Sequence, residues 1–171
     1  HREASRLESL KNITERYDGY GNSIRRVMEQ KNREPGIKGV VADNIHVQKD
    51  YEVAIETALG GSIQNIVTDN EQTAKRMIGF LKKNRFGRAT FLPLSNISGR
   101  GGLNQRDVLS EPGVVGTANT LVNADKEYSE LVMYLLGRVL VVDNIDHAIA
   151  IGKKYRHSLR MVTIEGESLS P

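Results

Sequence analysis

The feature that most constrains the fold of this sequence is an alternation of β-branched runs with amphipathic helical runs. Between residues 37 and 94, strand-like segments are separated by helix-like segments, one of which opens at Asp69 and Gln72, a pair that resembles a capping box. Pro93 indicates that the strand 89–94 lies at a sheet edge. The same order resumes after residue 113 and includes an apolar strand over 139–142. Strands that alternate with helices in this way are typical of crossover units, in which helices cover a sheet. The alternation therefore predicts an α/β (α+β) chain of two small mixed-sheet subdomains with flanking helices.

Breaks in the pattern suggest where the parts of the chain begin and end. Leu7, Leu10, Thr14 and Tyr17 form a one-sided stripe that predicts a coiled-coil helical stub over residues 1–17. The glycines that follow end this helix, because they tolerate backbone angles that a helix does not use. We therefore expect three parts: 1–34, the end of a coiled-coil arm with its lead-in helix; 35–102, subdomain I; and 103–171, subdomain II.

Subdomains I and II resemble each other in sequence. Leu59-Gly60 followed by a strand, an Asp-Asn pair and Ala74 matches Leu136-Gly137 followed by a strand, an Asp-Asn pair and Ala148. Both matches continue into a basic stretch and another strand. Gene duplication explains this similarity, and so does the repeated order of strand, helix and strand, and the sequence leaves both explanations open.

Composition excludes several classes of protein. The chain has no cysteine, which removes disulfides, thiolate nucleophiles and cysteine-ligated metal sites. Aromatic residues are 5% of the chain and tryptophan is absent, so the core must be aliphatic. No apolar run approaches the ~20 residues that span a bilayer. We therefore expect a soluble intracellular protein with no membrane partner.

Basic residues are concentrated in two stretches without acids, residues 75–88 and 153–160, although the net charge is only +3. Such stretches attract phosphate backbones. They also occur at the exposed C-terminal ends of helices, where cations complement the helix dipole. Composition alone leaves both interpretations open.

Motifs for catalysis are missing from the sequence. The histidines His1, His46, His147 and His157 lack the spacing of a helical metal pair. The segment 99–102 resembles a dinucleotide-binding turn, but position 104 is Asn where that motif requires a third glycine. We therefore expect no enzyme, no catalytic residue, no metal, no cofactor and no small-molecule substrate. A small phosphate-ligand-binding enzyme built on this loop is a distant alternative.

Several motifs, read together, resemble the hinge domain of the structural maintenance of chromosomes (SMC) family, of the bacterial condensin type. The motifs occur in the family's order and cover essentially the whole chain. They are 17–21 (Tyr-Asp-Gly-Tyr-Gly), 35–41 (Pro-Gly-Ile-Lys-Gly-Val-Val), 51–61, 65–69, 88–94 (Arg-Ala-Thr-Phe-Leu-Pro-Leu), 136–139 and 161–167 (Met-Val-Thr-Ile-Glu-Gly-Glu).

The resemblance implies a homodimerisation hinge that joins two coiled-coil arms of a chromosome condensation and segregation ATPase whose ATP-binding heads lie elsewhere. By this analogy, the edge strand 89–94 of one copy adds to the strand 159–164 of a second copy, because exposed strand edges carry unpaired N–H and C=O groups. The implied dimer interface consists of Thr90, Phe91, Leu92, Pro93, Leu94, Arg160, Met161, Val162, Thr163 and Ile164.

The resemblance also implies a cytoplasmic, nucleoid-associated protein with weak, salt-dependent DNA contacts. The candidate DNA-binding residues are Lys82, Lys83, Arg85, Lys153, Lys154 and Arg156. A nucleic-acid-binding module in which dimerisation is incidental is the alternative function. The family pattern continues past Glu167 into a glycine-rich stretch and a lysine cluster, so we expect weaker pairing and weaker DNA affinity from these 171 residues.

Overall fold

The computed structural model describes residues 7–9, 21–98 and 101–171, which fall into two compact units. The N-terminal unit comprises residues 21–45 and 61–98, and the C-terminal unit comprises residues 46–60 and 101–171. The segment 46–60 therefore groups with the C-terminal unit, whereas the sequence led us to expect it in subdomain I. The reason is packing, since its helix lies on a strand and a helix of the C-terminal unit.

The regular elements are short throughout the described chain. The strands are β1 (Leu7–Ser9), β2 (Ile37–Val40), β3 (His46–Gln48), β4 (Ile66–Thr68), β5 (Phe91–Pro93), β6 (Val114–Thr117), β7 (Val122–Asn123), β8 (Val139–Val142), β9 (Arg160–Thr163) and β10 (Ser168–Leu169). The α-helices are α1 (Asn22–Met28), α2 (Val41–Asn44), α3 (Glu52–Leu59), α4 (Glu71–Asn84), α5 (Ser129–Leu136) and α6 (Ile145–Lys154). Single turns of 3-10 helix connect many of them.

The N-terminal unit is built on a three-stranded sheet of order β2-β4-β5, in which β2 and β4 are antiparallel and β4 and β5 are parallel. Helix α4 provides the crossover between the parallel strands. Asn70 is its N-cap, and the Asn70 side chain accepts a 3.0 Å hydrogen bond from the Thr73 backbone N–H. The capping residue is therefore Asn70 rather than Asp69, because the Asp69 carboxylate is occupied by the Thr73 hydroxyl and the Asn70 backbone N–H.

The C-terminal unit contains a four-stranded sheet of order β10-β9-β8-β6, in which only β8 and β9 are parallel. All residues of β8 are buried, as its continuous run of Val and Leu predicts. Helix α6 connects β8 to β9, and helix α3 packs against β9. A second, small sheet has the order β1-β3-β7.

The two units repeat several local features, which favours duplication as the origin of their similarity. A Pro-Gly pair precedes β2 in one unit and β6 in the other: the Gly36 carbonyl accepts from Asp69 N–H at 2.9 Å, and the Gly113 carbonyl accepts from Asp143 N–H at 2.8 Å. The antiparallel pairs β2–β4 and β6–β8 each contain one register irregularity near the strand start. Asn144 also caps α6 through its side chain, as Asn70 caps α4.

The helix predicted over residues 1–17 lies mostly outside the described residues. Its described part, Leu7–Ser9, is the strand β1 and not helix. These residues pair with β3 in the β1-β3-β7 sheet, and such tertiary pairing overrides a weak helical pattern. Within the part of the chain that the structure describes, no helix combines the length and the hydropathy needed to cross a membrane.

Candidate functional site

Strand β5 is an outer strand of its sheet, as the proline within it predicted. The Thr90 carbonyl accepts a 2.9 Å hydrogen bond from Ile66 N–H, so Thr90 points its backbone groups toward β4. Because backbone groups alternate along a strand, those of Phe91 and Pro93 point to the open side. The side chains of β5 are half-buried. This edge therefore offers backbone hydrogen-bonding groups beside partly exposed apolar side chains.

A groove lies between β5 and helix α4. One part, a cavity of about 320 Å³, is lined mainly by Ala74, Ile78, Phe91 and Pro93. A neighbouring cavity of about 490 Å³ shares Ile78 and Ala89 with it. Ile78 is 42% exposed, which is unusual for a large aliphatic residue on an otherwise amphipathic helix. The open strand edge therefore continues into an apolar surface.

Strand β9 is not an edge, contrary to the expectation for residues 159–164. It lies between β8 and β10, and Met161, Val162 and Thr163 are buried. The pairing of Ser168 with Val162 and of Leu169 with Met161 covers the outer side of β9. The outer strand on this side of the sheet is therefore β10, and the backbone edge that a second chain can reach belongs to Ser168 and Leu169.

Arg160 was also assigned to the interface from sequence, but its side chain makes hydrogen bonds within the C-terminal unit. Its guanidinium donates to the Ala58 carbonyl at 2.9 Å and to the Thr57 carbonyl at 3.2 Å. These carbonyls lie at the C-terminal end of α3, where the last turn of a helix leaves C=O groups without helical partners. Arg160 therefore caps α3 and attaches it to the sheet.

The loop that leads into β5 is fastened to helix α1. The Ser23 hydroxyl donates a 2.6 Å hydrogen bond to the Arg88 carbonyl, and the Asn22 side-chain amide donates to the Phe86 carbonyl at 3.4 Å. The Arg26 guanidinium stacks on the Phe86 ring, 4.6 Å from its centroid. Helix α1 thereby fixes the position from which the edge strand starts.

The basic residues Lys82, Lys83 and Arg85 lie together at the C-terminal end of α4, where cations complement the helix dipole. Arg85 has a left-handed backbone (φ 56°, ψ 43°), and its N–H bonds to the Lys82 carbonyl while Phe86 N–H bonds to the Leu81 carbonyl. This is a Schellman ending, a position where glycine is usual. All three side chains are exposed.

The basic residues of the C-terminal unit occupy the matching positions on α6. Lys153 and Lys154 are in its last turn, and Arg156 has the same left-handed backbone as Arg85 (φ 57°). Lys154 is not free, since its Nζ lies 2.6 Å from Glu111 Oε2. This hydrogen bond, with a second one from Tyr155, lowers the pKa of Glu111. Burial and the bond to Glu111 raise the pKa of Tyr155 to about 12.

Three features important to this surface were missed from sequence: strand β10, the Ser23 contact and the exposed Ile78. A two-residue strand has no periodicity that could reveal it. The Ser23 hydroxyl bonds to a residue far along the chain, and no local sequence pattern reveals such a contact. Ile78 belongs to the apolar stripe of α4, and the stripe alone does not show which of its residues remains exposed to solvent.

His147 and Gly101, from the other candidate sites considered in the sequence, each have a partner within the described chain. His147 Nδ1 lies 2.7 Å from Asp143 Oδ1, a pair that is half exposed. No group of three or more His, Cys, Asp or Glu side chains is placed to hold a metal ion within residues 21–98 and 101–171. Residues 99 and 100 of the glycine loop are outside the described residues, and Gly101 accepts a 3.2 Å hydrogen bond from Arg138.

Comparison with known proteins places these features in a family. The family model described as the SMC proteins flexible hinge domain matches residues 34–152, which is more than half of the chain. The chromosome partition protein Smc of Lactiplantibacillus plantarum is 42% identical over 171 residues, and the same protein of Bacillus subtilis is 39% identical over 170 residues. These matches cover 99% and 98% of this chain but only 14% of either relative.

Solved structures agree with the sequence matches. A crystal structure of an asymmetric dimer of the Geobacillus stearothermophilus SMC hinge domain superposes with a TM-score of 0.85 at 38% identity, covering 95% of this chain and 67% of that chain. The Pyrococcus furiosus SMC hinge domain superposes with a TM-score of 0.73 at 33% identity, covering 95% and 81%. The family and the fold class expected from sequence are thus confirmed.

Proposed function

Because this chain belongs to the flexible hinge domain family of SMC proteins, we propose that it is the homodimerisation hinge of a nucleoid-associated chromosome partition ATPase and joins two coiled-coil arms. The observation that carries the proposal is the open edge of β5, with its outward backbone groups and half-buried side chains. A solved hinge of the family, from G. stearothermophilus, is described as an asymmetric dimer, which supports self-association as the use of this edge.

The partner edge in this proposal is β10 and not β9. Strand β10 is the outer strand of the other large sheet, and its side away from β9 has no strand in the described chain. The unpaired backbone N–H and C=O groups of a strand edge can bond equally to a strand of the same chain or to a strand of a second copy. If β5 of each copy pairs with β10 of the other, a twofold axis uses the pairing twice.

Light scattering across a concentration series tests self-association. We expect the mass to rise from 19.0 kDa toward about twice that value as concentration increases. Phe91→Pro removes an outward N–H from β5 while it leaves the bond between Thr90 and Ile66 intact, so it should shift the transition to higher concentration. Phe91→Tyr keeps the N–H and the ring and serves as the matched control.

Two outcomes of this measurement contradict the proposal: a mass that stays at 19.0 kDa up to high concentration, or equal behaviour of the proline and tyrosine variants. Circular dichroism separates loss of the edge from loss of the fold. A proline at Val162 is unsuitable for this purpose, because Val162 is fully buried in a strand that is paired on both sides.

We further propose that the chain contacts DNA through the basic ends of α4 and α6. The supporting observation is that Lys82, Lys83 and Arg85 are exposed, while of the three candidate cations at the end of α6 only Lys154 has an acidic partner among the described residues. Retention of double-stranded DNA should fall with salt, with a slope of about −0.9 per phosphate neutralised. Lys82→Glu with Lys83→Glu should weaken retention without changing the oligomeric mass.

Lys126→Glu, which changes a lysine away from both helix ends, is the control for net charge. If Lys126→Glu weakens DNA retention as much as Lys82→Glu alone does, the effect comes from overall charge, and the assignment of DNA contacts to the helix ends is wrong. If DNA is not retained even at ~50 mM salt, where phosphate contacts are strong, the DNA proposal fails for this chain.

A further inference from the structure

The larger cavity beside α4 combines an apolar floor with a cationic rim. Its volume is about 490 Å³, and its lining consists of Ile78, Leu81, Lys82, Arg85, Gly87, Arg88 and Ala89. Leu81 is buried beneath the floor, whereas Ile78 is exposed to it. The lining contains no acidic residue. A ligand that fills this cavity therefore gains most if it has both negative charge and aliphatic surface.

The rim cations have no acidic partner to compete with such a ligand. Within the described chain, no salt bridge or side-chain hydrogen bond involves Lys82, Arg85 or Arg88. The three cations of the rim are therefore available to an acidic ligand.

The C-terminal unit shows what covers the matching helix end. There the segment 103–111 of the same chain packs over α6, with Leu103 and Val108 buried in the core cluster and Leu109 against it. Glu111 bonds to Lys154, while Tyr155 OH lies 3.3 Å from Asp107 and 3.0 Å from Glu111. An acidic, aliphatic segment, Asp-Val-Leu-Ser-Glu over 107–111, therefore lies against the basic end of α6, while Ile149, the counterpart of Ile78, stays exposed.

In the N-terminal unit helix α1 lies at the loop that follows α4, where Asn22 and Ser23 bond to the Phe86 and Arg88 carbonyls, but no residue of α1 lines the cavity. The residues that precede Pro35, by analogy with 107–111 before Pro112, are 30–34, and their sequence Gln-Lys-Asn-Arg-Glu is basic and lacks aliphatic side chains. Only Glu34 resembles its counterpart, and it pairs with Arg76, 2.9 Å away on α4 and away from the cavity lining. The cavity at the end of α4 is therefore left open by its own unit.

We propose that the cavity lined by Ile78, Lys82, Arg85 and Arg88 binds an acidic, aliphatic peptide segment of a partner protein. The acidic side chains of the segment pair with the three cations, and one or two branched aliphatic side chains rest on Ile78, Leu81 and Ala89. The segment 107–111 shows the same combination of acidic and aliphatic side chains near the end of α6, where its partner Lys154 corresponds to Lys83, next to the cavity lining.

Nucleic acid fits this cavity less well than a peptide. Phosphates would use the cations but not the aliphatic floor, and bases would need an aromatic face for stacking. No aromatic residue lines the cavity, and Phe86, in the loop after α4, is already packed edge-on against Phe80 at 5.6 Å and covered by Arg26. DNA and the peptide nevertheless share Lys82 and Arg85, so we expect them to compete.

Fluorescence anisotropy with the 171-residue chain tests the proposal. The probe is a labelled peptide of sequence Asp-Val-Leu-Ser-Glu-Asp-Val-Leu-Ser-Glu, and the control peptide has Ser in place of each Val and Leu. We expect saturable binding of the probe, weaker binding of the control, and a loss of roughly fivefold in probe affinity for Ile78→Ser, because apolar surface is removed. Lys82→Gln should weaken the binding of both probe and DNA.

Ile149→Ser is the matched control variant, since Ile149 is 43% exposed and lies on α6 at the position that corresponds to Ile78. Equal effects of the two isoleucine variants on probe binding, or no saturable binding, would overturn the proposal. The proposal would also be overturned if Ile78→Ser lost DNA retention as strongly as it lost probe binding, because Ile78 and its apolar neighbours would then contact nucleic acid. If Ile78→Ser lowers the oligomeric mass but leaves probe binding unchanged, a second copy covers the cavity and the proposal is wrong.

Discussion

The Ser23 hydroxyl and the Arg88 carbonyl are joined by a 2.6 Å hydrogen bond between helix α1 and the loop that leads into β5. Gly87 in that loop has a positive φ of 101°, and a side chain there would lie 3.5 Å from the Ser23 Cβ. Helix α1 directly follows the segment that the resemblance assigns to the coiled-coil arm. The start of the edge strand is therefore held by the helix nearest to the arm.

Ser23→Ala should loosen the edge without altering any residue of β5. Loss of the hydrogen bond should lower the free energy of unfolding by about 1 kcal/mol. Hydrogen exchange should become faster for the amides of residues 86–91, and self-association should weaken. Ser95→Ala is the control, since the Ser95 hydroxyl bonds to the neighbouring Asn96 side chain. Unchanged exchange in the loop would show that α1 does not hold it.

Arg160→Lys should detach the C-terminal end of α3 from the sheet. A lysine ammonium cannot reproduce the two bonds that the planar guanidinium makes to the Ala58 and Thr57 carbonyls. We expect a loss of about 1–2 kcal/mol in urea unfolding and faster amide exchange at the end of α3. Arg138→Lys removes a single guanidinium bond to the Gly101 carbonyl, so it should lower the free energy of unfolding by less. Equal losses would argue against the capping role.

Thr73→Val should have a pH-dependent effect on stability. The Thr73 hydroxyl, 2.6 Å from Asp69 Oδ1, is the main cause that holds the pKa of Asp69 below its ordinary 3.8. A carboxyl with a lowered folded-state pKa stabilises the fold above its unfolded pKa, and this contribution disappears as the pH falls through the folded pKa. The deficit of Thr73→Val, about 1 kcal/mol at neutral pH, should therefore shrink below pH ~4.

Urea unfolding over a pH series measures this effect. Thr120→Val removes a 2.6 Å bond from a hydroxyl to the neutral Thr117 carbonyl, so its deficit should not change with pH. A Thr73→Val deficit that is as constant as that of Thr120→Val would show that the bond to Asp69 is not the cause.

Arg85→Gly and Arg85→Gln should separate stability from binding. Glycine relieves the left-handed backbone at the end of α4, so Arg85→Gly should raise the free energy of unfolding by about 0.5–1 kcal/mol, whereas Arg85→Gln should leave it nearly unchanged. Both variants remove the charge and should weaken DNA retention equally. If Arg85→Gly is no more stable than Arg85→Gln, the arginine has no conformational cost.

The long or continuous patterns in the sequence predicted their elements well. The apolar run over 139–142 is β8 with the same bounds, and the amphipathic stripe after Asp69 is α4. Pro93 correctly indicated an edge strand, because only an outward-facing position of a sheet accepts a residue without an N–H. These elements are dictated by local chemistry and burial.

What sequence could not predict depends on contacts between distant residues. Arg160 and Val162 were assigned to an interface because their strand ends the repeat, but β10 covers that strand and Arg160 bonds to α3. The boundary at residue 102 did not anticipate that α3 packs on β9. Likewise Lys83 and Lys154 occupy matching positions, yet only the structure shows that Glu111 neutralises Lys154.

Cysteine cross-linking tests the central claim, the pairing of β5 in one copy with β10 in another, most directly. The chain has no cysteine, so one variant carries only Thr90→Cys and another only Ser168→Cys. A short bis-maleimide should give a product of twice the chain mass when the two variants are mixed, and little product with either alone. Mixing Thr90→Cys with Val115→Cys, on β6 at the opposite edge of the sheet, should give none. Equal yields in both mixtures, or no product in either, would contradict the proposed seam.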